Sequence, residues 1–299
     1  MHRVIENSPP QNLEGSKRIY HMLTRGLIID GIIKHVDPEG RTIGEFSWDE
    51  IIQPLGVDDA YFVSLTPDDA NKVSVATMHE IPTVYSTCHE FGPALLGAGN
   101  PRIKKAISLL DPNSILMSTS TEVDVSSKGQ KDQNSDQHSL DFINQNAPRK
   151  AEFTSALSFA SAQAMSKILS LFTNGGEVGG VRIISEETAI SALSDTVFDN
   201  DGALMLYGGI TQGGLGDMSS FKDSENKYGP DKELKGFYGW TGMGGSFNFI
   251  HPEKKVTVSY AMTALGNQLI GDPRSDVIMK AVAKVTDQLN CNPINPAAQ

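Results

Sequence analysis

Apolar residues recur every three or four positions in three stretches of the chain, the spacing of one face of an α-helix. The first stretch follows Ser16 and carries Tyr20, Leu23, Leu27, Ile28, Ile32 and Ile33. The second covers residues 156–172 and ends at Asn174-Gly175-Gly176, a typical helix C-cap. The third opens at Asp272-Pro273 and carries Val277, Ile278, Ala281, Val282 and Val285. The pattern therefore predicts three amphipathic helices.

Capping residues predict two shorter helices. Ser47-Trp48-Asp49-Glu50 has the form of a capping box, with Ser47 as the N-cap and Glu50 three residues later. Ser185 stands in the same way before a helix that we expect at residues 189–193.

A period of two appears near the C-terminus and predicts a β-hairpin. Phe247 and Phe249 alternate with polar residues, residues 252–255 are polar turn formers, and Val256 opens a second alternating run that ends near Met262. Four glycines, at positions 239, 242, 244 and 245, precede this hairpin. Because glycine lets a backbone approach another group closely, we expect this stretch to border a site.

Two polar stretches interrupt the apolar pattern. Residues 118–146 contain mostly Ser, Asp, Gln, Lys and Asn and are predicted to be a disordered insertion. Residues 208–236 are rich in glycine and charge and are predicted to be a loop over one face. Because the sequence shows no internal repeat, residues 118–146 are predicted to be an insertion within a single domain, residues 1–299, rather than a linker between repeats.

Composition excludes several kinds of partner. The formal charge of -11, from 36 acidic and 25 basic residues, disfavours nucleic acid and anionic membranes, which bind basic patches. Cys88 and Cys291 have no metal or redox spacing, and His79 and His89 are spaced irregularly for zinc, so we expect no metal and no cofactor. The sequence shows neither a signal peptide nor a membrane-spanning stretch, and we expect a cytoplasmic protein.

Dispersed motifs carry a family resemblance. Tyr20, followed by Thr24-Arg25-Gly26 and Arg41-Thr42-Ile43-Gly44, precedes Trp240-Thr241-Gly242 and Asp272-Pro273-Arg274 in the chain. This order resembles the beta-lactamase-related serine hydrolases, which include class C beta-lactamases, penicillin-binding-protein-like peptidases and esterases. The resemblance implies an α/β (α+β) fold: an antiparallel sheet flanked by helices, with an additional helical region. It covers most of the chain outside residues 118–146.

The resemblance also implies site residues. Tyr20 matches the proton-transferring tyrosine of the family's second motif, although Met22 stands where many members have asparagine. Trp240-Thr241-Gly242 matches the third motif, with Trp240 replacing lysine or histidine. Met243 would then offer a backbone N–H to the oxyanion. The structural alternatives are that Tyr20 is a core tyrosine on a helix and that Trp240 is an aromatic residue packed on a strand.

The family's nucleophile motif, Ser-x-x-Lys, lies upstream of the tyrosine, whereas this chain has such pairs only at Ser219/Lys222 and Ser224/Lys227, in the polar stretch. The resemblance therefore implies a member without its N-terminal part. One hypothesis is an incomplete serine hydrolase, inactive alone, that acts on a small ester or amide. The other is a non-catalytic binding or assembly protein that associates with itself through an open sheet edge at residues 256–262.

Overall fold

The computed structural model describes residues 18–21, 24–66, 69, 72–75, 77–78, 152, 154–155, 158–201, 204, 206–223, 232–242, 244–266 and 272–289. The predicted insertion at residues 118–146 lies outside these ranges, as do Ser16, Met22, both cysteines, Met243, and the Ser224/Lys227 pair.

The described helices are α1 (Thr24–Val36), α2 (Ile43–Ser47), α3 (Ala162–Thr173), α4 (Glu186–Ala192) and α5 (Pro273–Asp287). A π-helical turn, Trp48–Ile52, continues α2, and a 3₁₀ turn spans Lys232–Leu234. The strands are β1 (Tyr61–Phe62), β2 (Thr77–Met78), β3 (Phe159–Ala160), β4 (Glu177–Val178), β5 (Val181–Arg182), β6 (Val197–Asn200), β7 (Leu206–Ile210), β8 (Gly216–Asp217), β9 (Lys222–Asp223), β10 (Tyr238–Thr241), β11 (Phe247–His251), β12 (Val256–Tyr260) and β13 (Ala264–Leu265).

A seven-stranded antiparallel sheet is the centre of the described fold. Its strands run in the order β12-β11-β10-β8-β7-β6, and β9 pairs with β7 beside this path. The predicted hairpin is confirmed as β11–β12, in a register that places Phe249 opposite Val258. The prediction of a loop at residues 208–236 is wrong, because β8, β9 and most of β7 lie there. Among the glycines that suggested a loop, Gly208, Gly209 and Gly216 are strand positions that side chains cross closely.

Helices cover both faces of this sheet. On one face, α5 contributes Met279 and Ala283 to a cluster with Phe247 and Phe249. The opposite face carries Thr257, whose hydroxyl lies 3.4 Å from that of Thr173 in α3. The second core continues from α3 into the π-helical turn and the segment after it, through Leu171, Ala164, Ile52, Leu55, Val57 and Val63. These layers confirm the predicted α/β class, with antiparallel strands flanked by helices.

Several helix boundaries differ from the predicted ones. The first helix begins at Thr24, so Tyr20 precedes it in a segment without regular secondary structure. The capping box belongs to Thr42 and Glu45 at the start of α2, and the Ser47 side chain makes no capping hydrogen bond. The Ser185 cap is confirmed, although α4 begins directly after it.

The predicted apolar stripe of α5 is rotated from the observed one. Val277 and Val285 are 70% and 60% exposed, whereas Ser275, Met279, Ala283 and Thr286 are buried. Small and polar side chains at Ser275 and Thr286 allow the helix to lie close to the sheet, which hydrophobicity alone does not reveal. The Asp272 cap and the proline at the start of the helix are as predicted.

Candidate functional site

The two aromatic residues that the motifs single out are in contact. The Tyr20 ring stacks on the Trp240 indole, with centroids 5.3 Å apart and planes at 25°. Both side chains are half-buried. Tyr20 is therefore neither helical nor enclosed in a core, and its ring lies on the strand that carries the third motif.

Phe221 extends this aromatic contact. Its ring meets Trp240 edge-on at 5.9 Å and 83°. The ring lies over Gly208 and Gly216, and a Cβ atom at Gly216 would stand 2.7 Å from Phe221 Cε2. Glycines on two neighbouring strands thus leave the space that Phe221 occupies beside Trp240.

The backbone around Tyr20 is tied to the turn between β6 and β7. Tyr20 N–H donates to Asp201 Oδ1 at 3.2 Å, and Arg18 forms a parallel bridge with Asp201. The Arg18 guanidinium donates to the carbonyls of Val197, Asp199 and Gly208. The short segment that presents Tyr20 is therefore held by this bridge and by side chains, rather than by helical hydrogen bonds.

A tight turn follows the third motif. Thr241 pairs with Phe247, and Gly242 N–H donates to the carbonyl of Ser246 at 2.8 Å. Gly244 and Gly245 have φ angles of +92° and +106°, which L side chains rarely adopt. The glycines of this stretch thus serve the turn between β10 and β11.

Asp272 and Arg274 hold this turn from the other side. The Asp272 side chain is 1% exposed and accepts from Arg274 Nη2 at 2.7 Å, while Arg274 Nη1 donates to the carbonyl of Ala264 at 2.9 Å. Hydrogen bonding from Arg274 keeps the pKa of Asp272 below its usual value. A Cβ atom on Gly245 would lie 2.6 Å from Asp272 Cβ, so the turn requires glycine there.

The Ser219/Lys222 pair has other partners. Ser219 Oγ donates to Asp217 Oδ1 at 2.8 Å, within a turn. Lys222 Nζ lies 4.9 Å from the centroid of the Tyr207 ring. The first contact lies in the β8–β9 connection, and the second joins the paired strands β9 and β7. Neither resembles a serine hydroxyl with a neighbouring lysine as its base.

Other features contribute little to this site. A cleft of about 690 Å³ is lined by Phe172, Arg182, Ile190 and Tyr238, among others, but neither Tyr20 nor Trp240 lines it. Within the described ranges, no group of three or more His, Cys, Asp or Glu side chains could hold a metal ion. None of the described helices is long and apolar enough to cross a membrane.

Sequence reasoning missed Phe221, Asp201 and Arg18. Asp201 stands in the polar run Asn200-Asp201-Gly202, a turn signal that could have marked the β6–β7 hairpin. Nothing in the sequence indicates that this turn contacts Tyr20, because that contact joins distant parts of the chain. The prediction of a loop at residues 208–236 gave no reason to single out Phe221.

Comparison with solved structures supports the same fold. A penicillin-binding protein homologue from Caulobacter crescentus is 22% identical with a TM-score of 0.59, over 93% of this chain and 61% of that one. EstA from Arthrobacter nitroguajacolicus Rue61a is 18% identical with a TM-score of 0.65, over 97% and 65%. A family VIII carboxylesterase is 19% identical with a TM-score of 0.59, over 90% and 58%. The chain thus spans about three-fifths of the length of these structures.

The comparison with curated proteins gave no match. The family model described as Beta-lactamase, however, matches residues 1–283, nearly the whole chain. The matched residues include Tyr20, the third motif and the Asp272–Arg274 ion pair. The chain therefore belongs to the beta-lactamase family.

Proposed function

We propose that this chain forms part of a serine hydrolase site that transfers the acyl group of a small ester or amide. The observation that carries the proposal is the stacking of Tyr20 on Trp240. Two residues that the family's motifs assign to one site, but that lie far apart in sequence, are in contact. The similar structures include a family VIII carboxylesterase and a penicillin-binding protein homologue, and this likeness supports the same class of reaction.

In the proposed reaction, a serine hydroxyl attacks the carbonyl carbon and loses its proton to a neighbouring base. The leaving alcohol or amine then takes up a proton, and water releases the acyl group from the serine. Tyr20 is assigned to the proton transfers, because its phenol can donate and accept. Trp240, Thr241 and Gly242 would border the substrate, and Met243 N–H would donate to the oxyanion.

Trp240 favours esters over substrates that carry a carboxylate. An indole offers a single N–H donor and no charge, whereas the lysine of the family's usual third motif offers a cation. Together with Tyr20 and Phe221, which contact it, Trp240 forms an apolar aromatic cluster. A substrate with an apolar acyl or alcohol group is therefore expected to bind better than a penicillin.

We further propose that this chain alone does not turn over substrate, because its Ser-x-x-Lys pairs, Ser219/Lys222 and Ser224/Lys227, follow Tyr20 in the sequence instead of preceding it. The geometry at Ser219 supports this, because its hydroxyl donates to Asp217 and the Lys222 ammonium lies over Tyr207. The hydrogen-bond partner of Ser219 is thus a carboxylate, a weak base, and not the lysine of the family's nucleophile motif.

The test is acylation followed by mass spectrometry. The purified chain and its Tyr20→Phe variant are incubated with a fluorophosphonate and, separately, with benzylpenicillin, and adducts are mapped by peptide analysis. We expect no stable adduct on this chain alone. A serine that is labelled and that turns over an ester equally well in the Tyr20→Phe variant would overturn the assignment of the site.

Substrate binding is tested separately from turnover. A 4-nitrophenyl ester is titrated against the chain while the Trp240 fluorescence is followed in a Trp48→Phe background. Binding that is lost in Tyr20→Ala and retained in the Ser219→Ala control supports the proposed site. Equal binding by the parent and Tyr20→Ala contradicts it.

A second candidate function is self-association through β12. In the described part of the chain, β12 is the terminal strand of the sheet and pairs only with β11. A terminal strand leaves one row of N–H and C=O groups available to another strand. We propose that a second copy of this chain adds to that edge.

Light scattering and hydrogen exchange test this association. We expect a dimer whose dissociation on dilution speeds amide exchange in the peptide covering residues 256–260, while the β6 peptide is unchanged. A monomer at every concentration, or equal exchange in β12 at high and low concentration, would rule the interface out.

A further inference from the structure

Tyr20 itself lies in neither a helix nor a strand, and the backbone pairing nearest to it in the described residues is the isolated bridge of Arg18 with Asp201. Residues 19–21 lie outside regular secondary structure, and α1 begins at Thr24. A segment of this kind samples many conformations unless other groups bind it. The groups that bind Tyr20 therefore decide whether its ring remains on Trp240.

Asp201 is the first of these groups. It is 6% exposed and sits where β6 turns toward β7. Its Oδ1 accepts from Tyr20 N–H at 3.2 Å and from Leu204 N–H at 2.9 Å. Its own N–H donates to the carbonyl of Leu206 at 2.8 Å, so the turn fixes the carboxylate that holds Tyr20.

Arg18 is the second group that holds the Tyr20 segment. Its Nη2 donates to the carbonyls of Asp199 at 2.9 Å and Gly208 at 3.0 Å, and these carbonyls belong to neighbouring strands. Its Nε lies 3.7 Å from Asp201 Oδ2. A buried carboxylate is costly unless a cation compensates it, and Arg18 supplies that charge while spanning β6 and β7.

We propose that Asp201 and Arg18 are positioning residues that hold Tyr20 against Trp240; as a role in catalysis, this rests on the proposed function of Tyr20. Neither side chain is assigned a contact with substrate. They act through the backbone of residues 18–20, by fixing it to the β6–β7 turn. Loss of Asp201 frees Tyr20 N–H and removes the counter-charge of Arg18, and the Tyr20 ring then leaves the indole.

The test uses the full chain in a Trp48→Phe background, so that Trp240 is the only tryptophan. Acrylamide quenching and near-ultraviolet circular dichroism report whether Tyr20 still covers Trp240, and Tyr20→Ala sets the uncovered reference. We expect Asp201→Ala to reach the quenching of Tyr20→Ala. Asp201→Asn retains an acceptor oxygen and is expected to stay closer to the parent than to Asp201→Ala.

Asp199→Ala is the matched control. Asp199 lies two residues away on β6, and its carboxylate accepts from the N–H of Asn200 rather than from Tyr20. We expect parental quenching in this variant. Quenching that rises as much in Asp199→Ala as in Asp201→Ala would mean that any acidic loss on β6 has the same effect, and the proposal would fail.

Arg18→Lys guards against a folding defect in Asp201→Ala. Lysine keeps the charge but lacks the planar group that reaches two strands at once. We expect quenching between that of the parent and of Tyr20→Ala, with an unchanged far-ultraviolet spectrum. Parental quenching in both Arg18→Lys and Asp201→Ala would overturn the proposal. A labelled serine whose ester turnover is unchanged in Tyr20→Phe would refute the proposed function without altering these fluorescence results.

Discussion

The protonation state of a single side chain depends on the groups packed against it, and His251 is a clear case. It is 5% exposed, its ring meets Phe237 edge-on at 5.0 Å, and its Nδ1 accepts from Lys254 N–H at 3.3 Å. Burial lowers the pKa of His251 from its ordinary value of 6.5. A neutral ring with an unprotonated Nδ1 is therefore the folded form.

This histidine makes stability depend on pH. Its folded pKa is lowered, so below the ordinary value the unfolded chain binds more protons than the folded one. The contribution is complete above about pH 6.5 and is lost as pH falls through the folded pKa. We expect urea unfolding to show this decline as pH is lowered from about 6.5.

The decline should flatten in His251→Phe and persist in His35→Gln, because His35 is exposed on α1. An unchanged decline in His251→Phe would assign the pH dependence to other groups.

A helix ends where a residue can adopt the backbone conformation that the turn requires, and Gly176 after α3 is a strongly restricted position of this kind. Its φ is +86°, its N–H donates to the carbonyl of Leu171 at 2.7 Å, and a Cβ there would overlap the carbonyl group of Ile184. Gly176→Ala should cost about 3 kcal/mol of unfolding free energy, from backbone strain plus this overlap. The measurement is urea unfolding.

Gly179→Ala is the control for Gly176→Ala. Gly179 has a φ of +61° but no neighbour within 4 Å of a Cβ atom. Its cost should be only about 1 kcal/mol, the strain of a left-handed residue alone. Equal costs at the two positions would show that the Ile184 carbonyl moves aside easily.

The start of α5 depends on Asp272 in a comparable way. Asp272 caps the helix by accepting from Arg274 N–H at 2.8 Å and also binds the Arg274 guanidinium. Asp272→Ala removes both contacts and should cost about 2–4 kcal/mol. Because the folded pKa of Asp272 is lowered, its contribution is complete above about pH 3.9 and is lost as pH falls through the folded value.

Urea unfolding measures this cost at neutral pH, and Asp276→Ala serves as the control. Asp276 is an exposed acidic residue in the same turn and should cost only a few tenths of a kcal/mol, about 0.5 at most. If Asp272→Ala lowers the free energy of unfolding no more than Asp276→Ala does, the proposed role of Asp272 at the start of α5 is contradicted.

Local signals predicted the helices and the hairpin because caps and alternation act over a few residues. The Ser185, Asn174 and Asp272 caps and the β11–β12 hairpin all follow from neighbouring residues. The family resemblance supplied Tyr20 and Trp240. The position of Tyr20 before α1, and its attachment to Asp201, could not be predicted, since both depend on contacts between distant segments.

At the scale of the whole molecule, the sheet is a layer shared by two cores. Phe249, 2% exposed, faces the α5 cluster, while Leu171, 4% exposed, lies in the α3 cluster on the other side. Strand β12 contacts both helical layers, through Val258 on one face and Thr257 on the other. Loss of either core should therefore weaken the sheet on which the other is built.

The expected result is one cooperative unfolding transition for both sides. Phe249→Ala should cost about 3–5 kcal/mol and Leu171→Ala about 2–5 kcal/mol. Trp48 lies in the π-helical turn that contributes to the α3 core, and Trp240 lies in the sheet. Trp48→Phe and Trp240→Phe backgrounds thus leave one reporter on each part, and each truncation should move both reporters to the same lower urea midpoint. Separate midpoints would mean that the α3 core unfolds independently of the sheet, and the site residues on β10 would then owe their positions to the α5 core alone.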